Sequence, residues 1–348
     1  MITYVLRRVM ILPIVMFFVS VILFVLLLQL PVETRVQVYL PSTNRRLSDE
    51  EYERLVLRTI ERYGLDRPAH IQYINWVQNL LRGEWGYSPT WHQPVLEGIR
   101  QRAPATIELG LFAMIPSIAL ALMSGRLAAK NQYRLWDYLI RGAASIGWAF
   151  PSFIFGLILL NVLYAWLDWF PPGRISVWAS SIVNSGEFRS YTGFLSLDGI
   201  LNGEFGVSVD AVRHLVLPGL TLAFFNWALF VRIMRASMLE VLNQDYITTA
   251  RSKGLRERAV INLHANRNAI LPMISSAGVA VSVFLSSVMI IELLFGYNGL
   301  GRWAMVAIQN FDVPVALGFV LASSLLAVSA SLAADILYGL IDPRVRLD

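Results

Sequence analysis

Cysteine is missing from the chain, so no disulfide framework and no thiolate-held metal can form, and the redox compartment is left open. Lysine is nearly missing too: Lys130 and Lys253 are the two present, followed by Asn131 and Gly254. A nucleotide-binding P-loop needs Gly-Lys-Ser/Thr, with the lysine reaching the phosphates. The chain therefore has no P-loop of its own. The four histidines, His70, His92, His214 and His264, are scattered without ligand spacing. Neither Gly-x-Ser-x-Gly nor His-Glu-x-x-His occurs, so the chain reads as no enzyme, with no cofactor or metal expected on it. Charge is scarce as well, at 15% of residues, where soluble domains carry about 25%. The net charge of +5 is not gathered into a basic tail or a basic-aromatic array, which argues against nucleic acid as a partner.

What the chain has is apolar sequence, 56% of its 348 residues, in runs long enough to cross a bilayer. The expected fold is an all-α polytopic membrane protein with six transmembrane helices. The first span covers Val9 to Leu30 with Arg7-Arg8 before it and Pro13 near its start. It is longer than a signal-peptide core and no small-x-small cleavage site follows, so residues 1–31 read as an uncleaved first helix. The second span opens at Pro104, a residue suited to the first helical turn, and runs to Leu127. The third covers Leu139 to Leu167, with Pro151 expected to kink it near the bilayer middle. The fourth runs from Leu215 to Met234, the fifth from Pro272 to Leu294, and the sixth from Pro314 to Ile341. Ser323, Ala327 and Ser331 form a small-residue stripe on the sixth, against which another helix can pack.

Two stretches between spans are too polar for lipid. In residues 32–103, Ser48-Asp-Glu-Glu51 reads as a capping box opening a helix to Tyr63, and Gly64 ends it. An amphipathic helix follows from His70 to Leu81, with Ile71, Ile74, Trp76, Val77, Leu80 and Leu81 on its apolar positions. Residues 168–213 form a second insert, in which Trp169, Trp178 and Tyr191, with Trp166 just before it, suit a membrane interface. The remainder, 104–348, is the membrane core.

Between spans four and five, residues 243–268 are polar and basic. Asn243 or Asp245 can cap a helix start, and Gly254 is placed for a left-handed C-cap, which leaves a helix of about eight residues. Ala250 and Gly254, four apart, share one face where another backbone can come close. Arg251, Lys253, Arg256 and Arg258 surround that face with positive charge. A basic inner loop needs only the positive-inside rule to explain it. A short helix that cannot bury itself in its own chain would instead be a docking knob. Periodicity leaves both open.

Tyr246-Ile-Thr-Thr-Ala-Arg-Ser-Lys-Gly-Leu255 and Asn268-Ala-Ile-Leu-Pro272 resemble the coupling ("EAA") loop of ABC importer permeases, in the branch for dipeptides, oligopeptides and nickel. Gly254 lies 18 residues before Pro272, the longer spacing of that branch. The name-giving glutamate is replaced by Thr248, and Ser252 stands for the usual alanine. The likeness extends to Tyr4-Val-Leu-Arg-Arg8, Tyr63-Gly-Leu-Asp-Arg-Pro68, Gln72-Tyr-Ile-Asn-Trp76, Leu81-Arg-Gly-Glu-Trp-Gly86, Ser145-Ile-Gly-Trp-Ala-Phe-Pro-Ser-Phe153 and the terminal Asp342-Pro-Arg-Val-Arg346. Two turns depart from the family pattern. Pro31-Val-Glu-Thr34 stands for Pro-Gly-Asp-Pro, and Asn298 stands for proline in Phe295-Gly-Tyr-Asn-Gly-Leu-Gly301.

The resemblance implies the type I ABC importer permease architecture, with 32–103 as an extracytoplasmic helical region and 243–268 as the cytoplasmic coupling loop. It implies four kinds of partner: a similar second permease subunit, two ATP-binding subunits holding ATP and magnesium, an extracytoplasmic substrate-binding protein, and the lipid bilayer. It assigns ATPase coupling to Asp245, Tyr246, Thr249, Ala250, Arg251, Lys253, Gly254 and Leu255, and it identifies no substrate-binding residue. Arg7, Arg8, Lys130, Arg134, Arg232 and Arg235 flank the spans on the coupling-loop side, so both termini are expected in the cytoplasm of a multi-pass inner-membrane protein. Peptide is the expected cargo, with oligosaccharides, nickel or opines as alternatives in the same architecture. A proton-coupled secondary transporter is the alternative of another class. It would use membrane carboxylates as a relay, and Glu108, Glu292 and Asp335 are the candidates. All three lie near span ends, which favours structural pairing or capping.

Overall fold

A computed structural model describes residues 2–40 and 48–341. The terminal Asp342–Arg346 motif lies outside the described residues. Among the described residues, four helices are long and apolar enough to cross a membrane, and two bent helix pairs bring the number to six if each pair is one span. The chain starts with α1 (Ile2–Leu28), so the first span begins before Val9 and Pro13 lies inside it. The Pro31-Val-Glu-Thr34 turn enters the short α2 (Val32–Gln37).

Helix α3 (Asp49–Tyr63) opens with the expected capping box: Glu51 N–H donates to Ser48 Oγ at 3.3 Å and Ser48 N–H to Glu51 Oε2 at 3.0 Å. Gly64 closes it at φ +63°, a region that glycine enters without Cβ strain. The amphipathic α4 (Ala69–Leu81) does not stand clear of the bundle. Its Tyr73 hydroxyl is 2.8 Å from Ser20 Oγ on α1, and Trp76 packs on Phe24. A polar average over 32–103 hides this one apolar helix, which lies against the first and last spans.

A two-residue antiparallel pair, β1 (Tyr87–Ser88) with β2 (Gln93–Pro94), leads into α5 (Val95–Lys130). The second span thus starts at Val95, not Pro104. Pro94 takes the cap position, and Pro104 sits inside the helix, where its missing N–H removes one internal bond. The expected boundary at 103/104 cuts a continuous helix.

The third span is broken rather than kinked. Helix α6 (Leu135–Ala149) stops, and α7 (Ser152–Leu159) continues into a π-helical stretch, Leu160–Trp166, at 104° to it. Phe150 and Pro151 are extended, with ψ 139° and 136°. Proline forces its predecessor out of the helical region and offers no N–H to resume the ladder. The elbow leaves a cavity of about 110 Å³ lined by Ile146, Phe150, Phe155, Thr221, Phe224 and Phe225.

The insert holds two short helices, α8 (Val177–Val183) and α9 (Leu195–Leu201). Helix α10 (Phe205–Leu242) then runs for 38 residues, extending the expected fourth span at both ends. At 1.5 Å per residue it is about 57 Å long, well beyond a hydrocarbon core of about 30 Å. It therefore links two opposite ends of the molecule, one carrying the insert and one carrying the coupling segment. Helix α5 lies beside it in the same direction. A Cβ at Gly125 would come 2.8 Å from Met234, and one at Gly219 2.6 Å from Phe112, so both glycines are needed for this close approach.

After α11 (Asp245–Ser252) the chain returns through α12 (Glu257–Ala259), a π-helical stretch Val260–Ala265, α13 (Asn266–Ala269) and α14 (Leu271–Ser275). A bend of 47° separates this lead-in from α15 (Ala277–Leu294). Helices α16 (Leu300–Gln309) and α17 (Val313–Ile341) complete the described residues. The small-residue stripe is used at Ser331, which packs against Gly278 at the start of α15. Arg8 Nη1 lies 3.0 Å from Asp335 Oδ2, which joins the start of α1 to the end of α17.

Candidate coupling site

The site is built on the turn between α10 and the helical lead-in to α15. Asn243 and Asp245 do not cap α11. Gln244 holds the cap position in an extended conformation with no side-chain bond, and Asp245 already has helical geometry in the first turn. A carboxylate there still suits the positive end of the helix dipole. Thr249 Oγ1 donates to the Asp245 carbonyl at 3.0 Å. Gly254, at φ +74° with open space around it, ends the segment as expected.

The expectation that this helix cannot bury itself is overturned. Ile247 is fully buried and Ala250 nearly so, in a cluster with Met238, Val260, Ala265 and Ala269. Ala250 and Gly254 therefore do not form one outward face. Ala250 is set into its own chain, and Gly254 lies on the rim. The sequence signal for this was Ile247, the apolar residue three before Ala250 in an otherwise polar stretch, which puts both on one helical face.

The other proposed coupling residues are exposed: Asp245, Tyr246, Thr249, Arg251, Lys253, Gly254 and Leu255. Tyr246 and Leu255 leave 41% and 42% of their surface open, an apolar element on a basic rim. Two contacts not anticipated from sequence hold this rim. Asn268 Nδ2 donates to the Tyr246 hydroxyl at 2.8 Å. Arg251 grips Glu257 with both Nη2 to Oε1 at 2.9 Å and Nε to Oε2 at 3.2 Å. The hydrogen bond to Glu257 raises the pKa of the Arg251 guanidinium further, so the cation is permanent.

Behind α11, Asp137 on α6 is fully buried and accepts from Arg235 Nε at 2.6 Å and Nη2 at 2.8 Å, and from Tyr133 N–H at 3.0 Å. From sequence, Arg235 reads as a topological charge only. This pair ties α6 to α10 just before the coupling segment.

The three membrane carboxylates are all engaged. Glu292 accepts from Thr106 Oγ1 at 2.6 Å and from Arg302 N–H at 3.0 Å, capping the start of α16 from the neighbouring helix. Glu108 accepts from Ser196 Oγ at 2.6 Å and Ser196 N–H at 2.9 Å, with Arg174 at 3.5 Å. Asp335 pairs with Arg8. Glu108 and Glu292 share the neighbours Arg174 and Tyr297, whereas Asp335 stands apart with Arg8.

Residues 117–347 match the family of binding-protein-dependent transport system inner membrane components. The chain belongs to this family. Among curated relatives of this inner membrane component, the dipeptide transport system permease protein DppB of Escherichia coli K12 is 36% identical over 310 residues, 89% of each chain. The di/tripeptide transport system permease protein DppB of Pseudomonas aeruginosa UCBPP-PA14 is 36% identical over 288 residues, covering 82% of this chain and 84% of the relative. The oligopeptide transport system permease protein AppB of Bacillus subtilis 168 is 37% identical over the same extent. A multi-pass inner-membrane transport permease, in a family that is not one of catalytic enzymes, is thereby shown.

Proposed function

We propose that this chain is one of two permease subunits of an ATP-driven peptide importer, and that α11 seats in a groove on a separate ATPase. A second similar permease, two ATP-binding subunits and an extracytoplasmic binding protein complete the assembly. The coupling segment and both termini face the cytoplasm. The observation that carries the reading is an eight-residue helix with an exposed basic rim, whose back is fixed by Ile247 and Ala250 into the core of a transport permease. A helix fastened in this way moves with the bundle. Closure of the ATPase pair would displace α11 as a rigid body, and α10 leads from it to the opposite end. The resulting switch of the central cavity between inward and outward access is a hinge or rocking transition of two states. Peptide cargo is supported by the names of the dipeptide, di/tripeptide and oligopeptide relatives.

The test is uptake by proteoliposomes holding the full complex with ATP in the lumen, offered labelled di- to pentapeptides beside labelled oligosaccharides. ATP-dependent peptide accumulation is expected, and uptake driven by a pH gradient without ATP would overturn the reading. Gly254→Asp adds bulk and negative charge on the rim. It is expected to leave the complex assembled, because the position is open and aspartate tolerates positive φ better than most residues. Cargo-stimulated ATP hydrolysis should be lost. Unchanged stimulation would remove α11 as the docking element.

A further inference from the structure

At the insert end, four side chains bring unpartnered donors to one place. Trp303 of α16 is fully buried, and its indole N–H meets no acceptor among the described residues. The same is true of Trp91 Nε1 in the β1–β2 turn, Gln93 Nε2 on β2 and Arg102 Nε on α5. These residues are neighbours. A Cβ built at Gly98 would lie 2.9 Å from Gln93 Nε2 and 3.0 Å from Cε2 of Trp303, the atom bonded to Nε1. The Arg102 guanidinium lies 5.0 Å from the Trp91 ring centroid and 5.6 Å from that of Trp303.

The charge here is uncompensated. Arg102 makes no ion pair among the described residues, and its Nη1 reaches the Gly98 carbonyl at 3.3 Å. The nearby Asp312 is committed elsewhere. Its Oδ2 accepts from Ser88 Oγ and Thr90 N–H, and its Oδ1 from Val315 N–H. Buried donors without acceptors are costly, and a partly buried cation without a counter-ion more so. Three neutral N–H donors and one guanidinium, gathered beside the first turn of α5, form an environment that is rich in donors and positive.

We infer that Trp91, Gln93, Arg102 and Trp303 form a receptor for a carboxylate group at the insert end. A planar guanidinium, with N–H groups at the indole edges beside it, matches a planar two-oxygen anion better than a spherical ion. The receptor does not depend on α11 or on the coupling reading.

The test is thermal unfolding of the purified full chain in its complex, titrated with sodium acetate against sodium chloride and against a bulky sulfonate salt at equal ionic strength. Acetate is expected to raise the unfolding temperature by about 2 °C over both controls, the scale of a ligand that binds only the folded state. Trp303→Phe keeps a smaller aromatic ring and removes the N–H, and Arg102→Gln removes the charge. Both should abolish the acetate shift. Trp303→Phe keeps the test valid if Arg102→Gln fails to fold. Parallel titrations with trialanine and its C-terminal amide distinguish a peptide carboxylate from a free one. Trialanine acting at lower concentration than acetate, with its amide inactive, would assign a peptide terminus. An equal shift with chloride, no shift at all, or the same shift in Trp303→Phe would overturn the receptor.

Discussion

The insert and the coupling helix are fastened by different physics. At the insert end, carboxylates from one element hold the backbone of another. Glu108 takes Ser196 N–H, Asp210 takes Ser176 N–H at 2.7 Å, and Asp198 takes Thr192 and Gly193 N–H, both at 2.9 Å. Glu292 takes Arg302 N–H and Asp312 takes Thr90 N–H. Such bonds are directional and strong when charged, so each allows one arrangement. At the coupling end, α11 is seated by Ile247 and Ala250, with one tyrosine–asparagine bond and one exposed ion pair. Apolar contact is not directional. The difference teaches that the insert is locked in shape, whereas the coupling helix is cemented from behind and left free in front to meet another surface.

The largest expected effect comes from removing a lock at the insert end. Asp198 is fully buried and accepts four bonds, from Thr192 N–H and Oγ1, Gly193 N–H and Ser190 Oγ. Asp198→Ala strands these donors, at a cost of about 3 kcal/mol. Lowered thermal stability, with faster protease cleavage between α8 and α9, is the expected readout. A variant as stable and protease-resistant as the parent would break the comparison. Next, Ile247→Ala removes buried volume behind α11 at a cost of about 2 kcal/mol. Cargo-stimulated ATP hydrolysis should fall while cleavage between α8 and α9 stays unchanged. Loosening of both ends by this one change would show that they are not independently fastened.

How much of this was legible in sequence depended on whether a local rule governed the feature. The capping box at Ser48–Glu51, the stop at Gly64 and the stop at Gly254 each follow from a few adjacent residues, and all three appear. Span existence was legible because apolar length is decided by the bilayer. Span starts were not: Pro104 reads locally as a helix start, but Pro94 occupies the cap and the helix runs through Pro104. The elbow at Pro151 was expected as a kink, because sequence shows the missing N–H but not the packing that holds a 104° turn. At the candidate site, charge and the C-cap were readable, but the burial of Ala250 depended on Val260, Ala265 and Ala269 folding back under it. The Asp137–Arg235 pair joins positions 98 apart in sequence, and no periodicity reports a contact of that range.

The smallest effect on stability is expected where the rim is most exposed, and there the comparison is sharpest. Arg251 and Glu257 keep 44% and 52% of their side-chain surfaces in solvent. Such a pair contributes about 0–1 kcal/mol, since water and salt screen it and two long side chains must be ordered. Arg251→Ala should therefore leave the unfolding temperature nearly unchanged. A residue whose work is toward a partner should still show an effect in function: cargo-stimulated ATP hydrolysis is expected to fall, and the deficit against the parent should shrink as salt is raised. Glu257→Gln separates the two roles, because it releases Arg251 from its own chain without removing the cation. If Arg251 meets an ATPase, Glu257→Gln should preserve stimulation while Arg251→Ala loses it. Equal loss in both would mean that the ion pair only shapes the turn after α11, and the front face would then have to be sought at Tyr246 and Leu255.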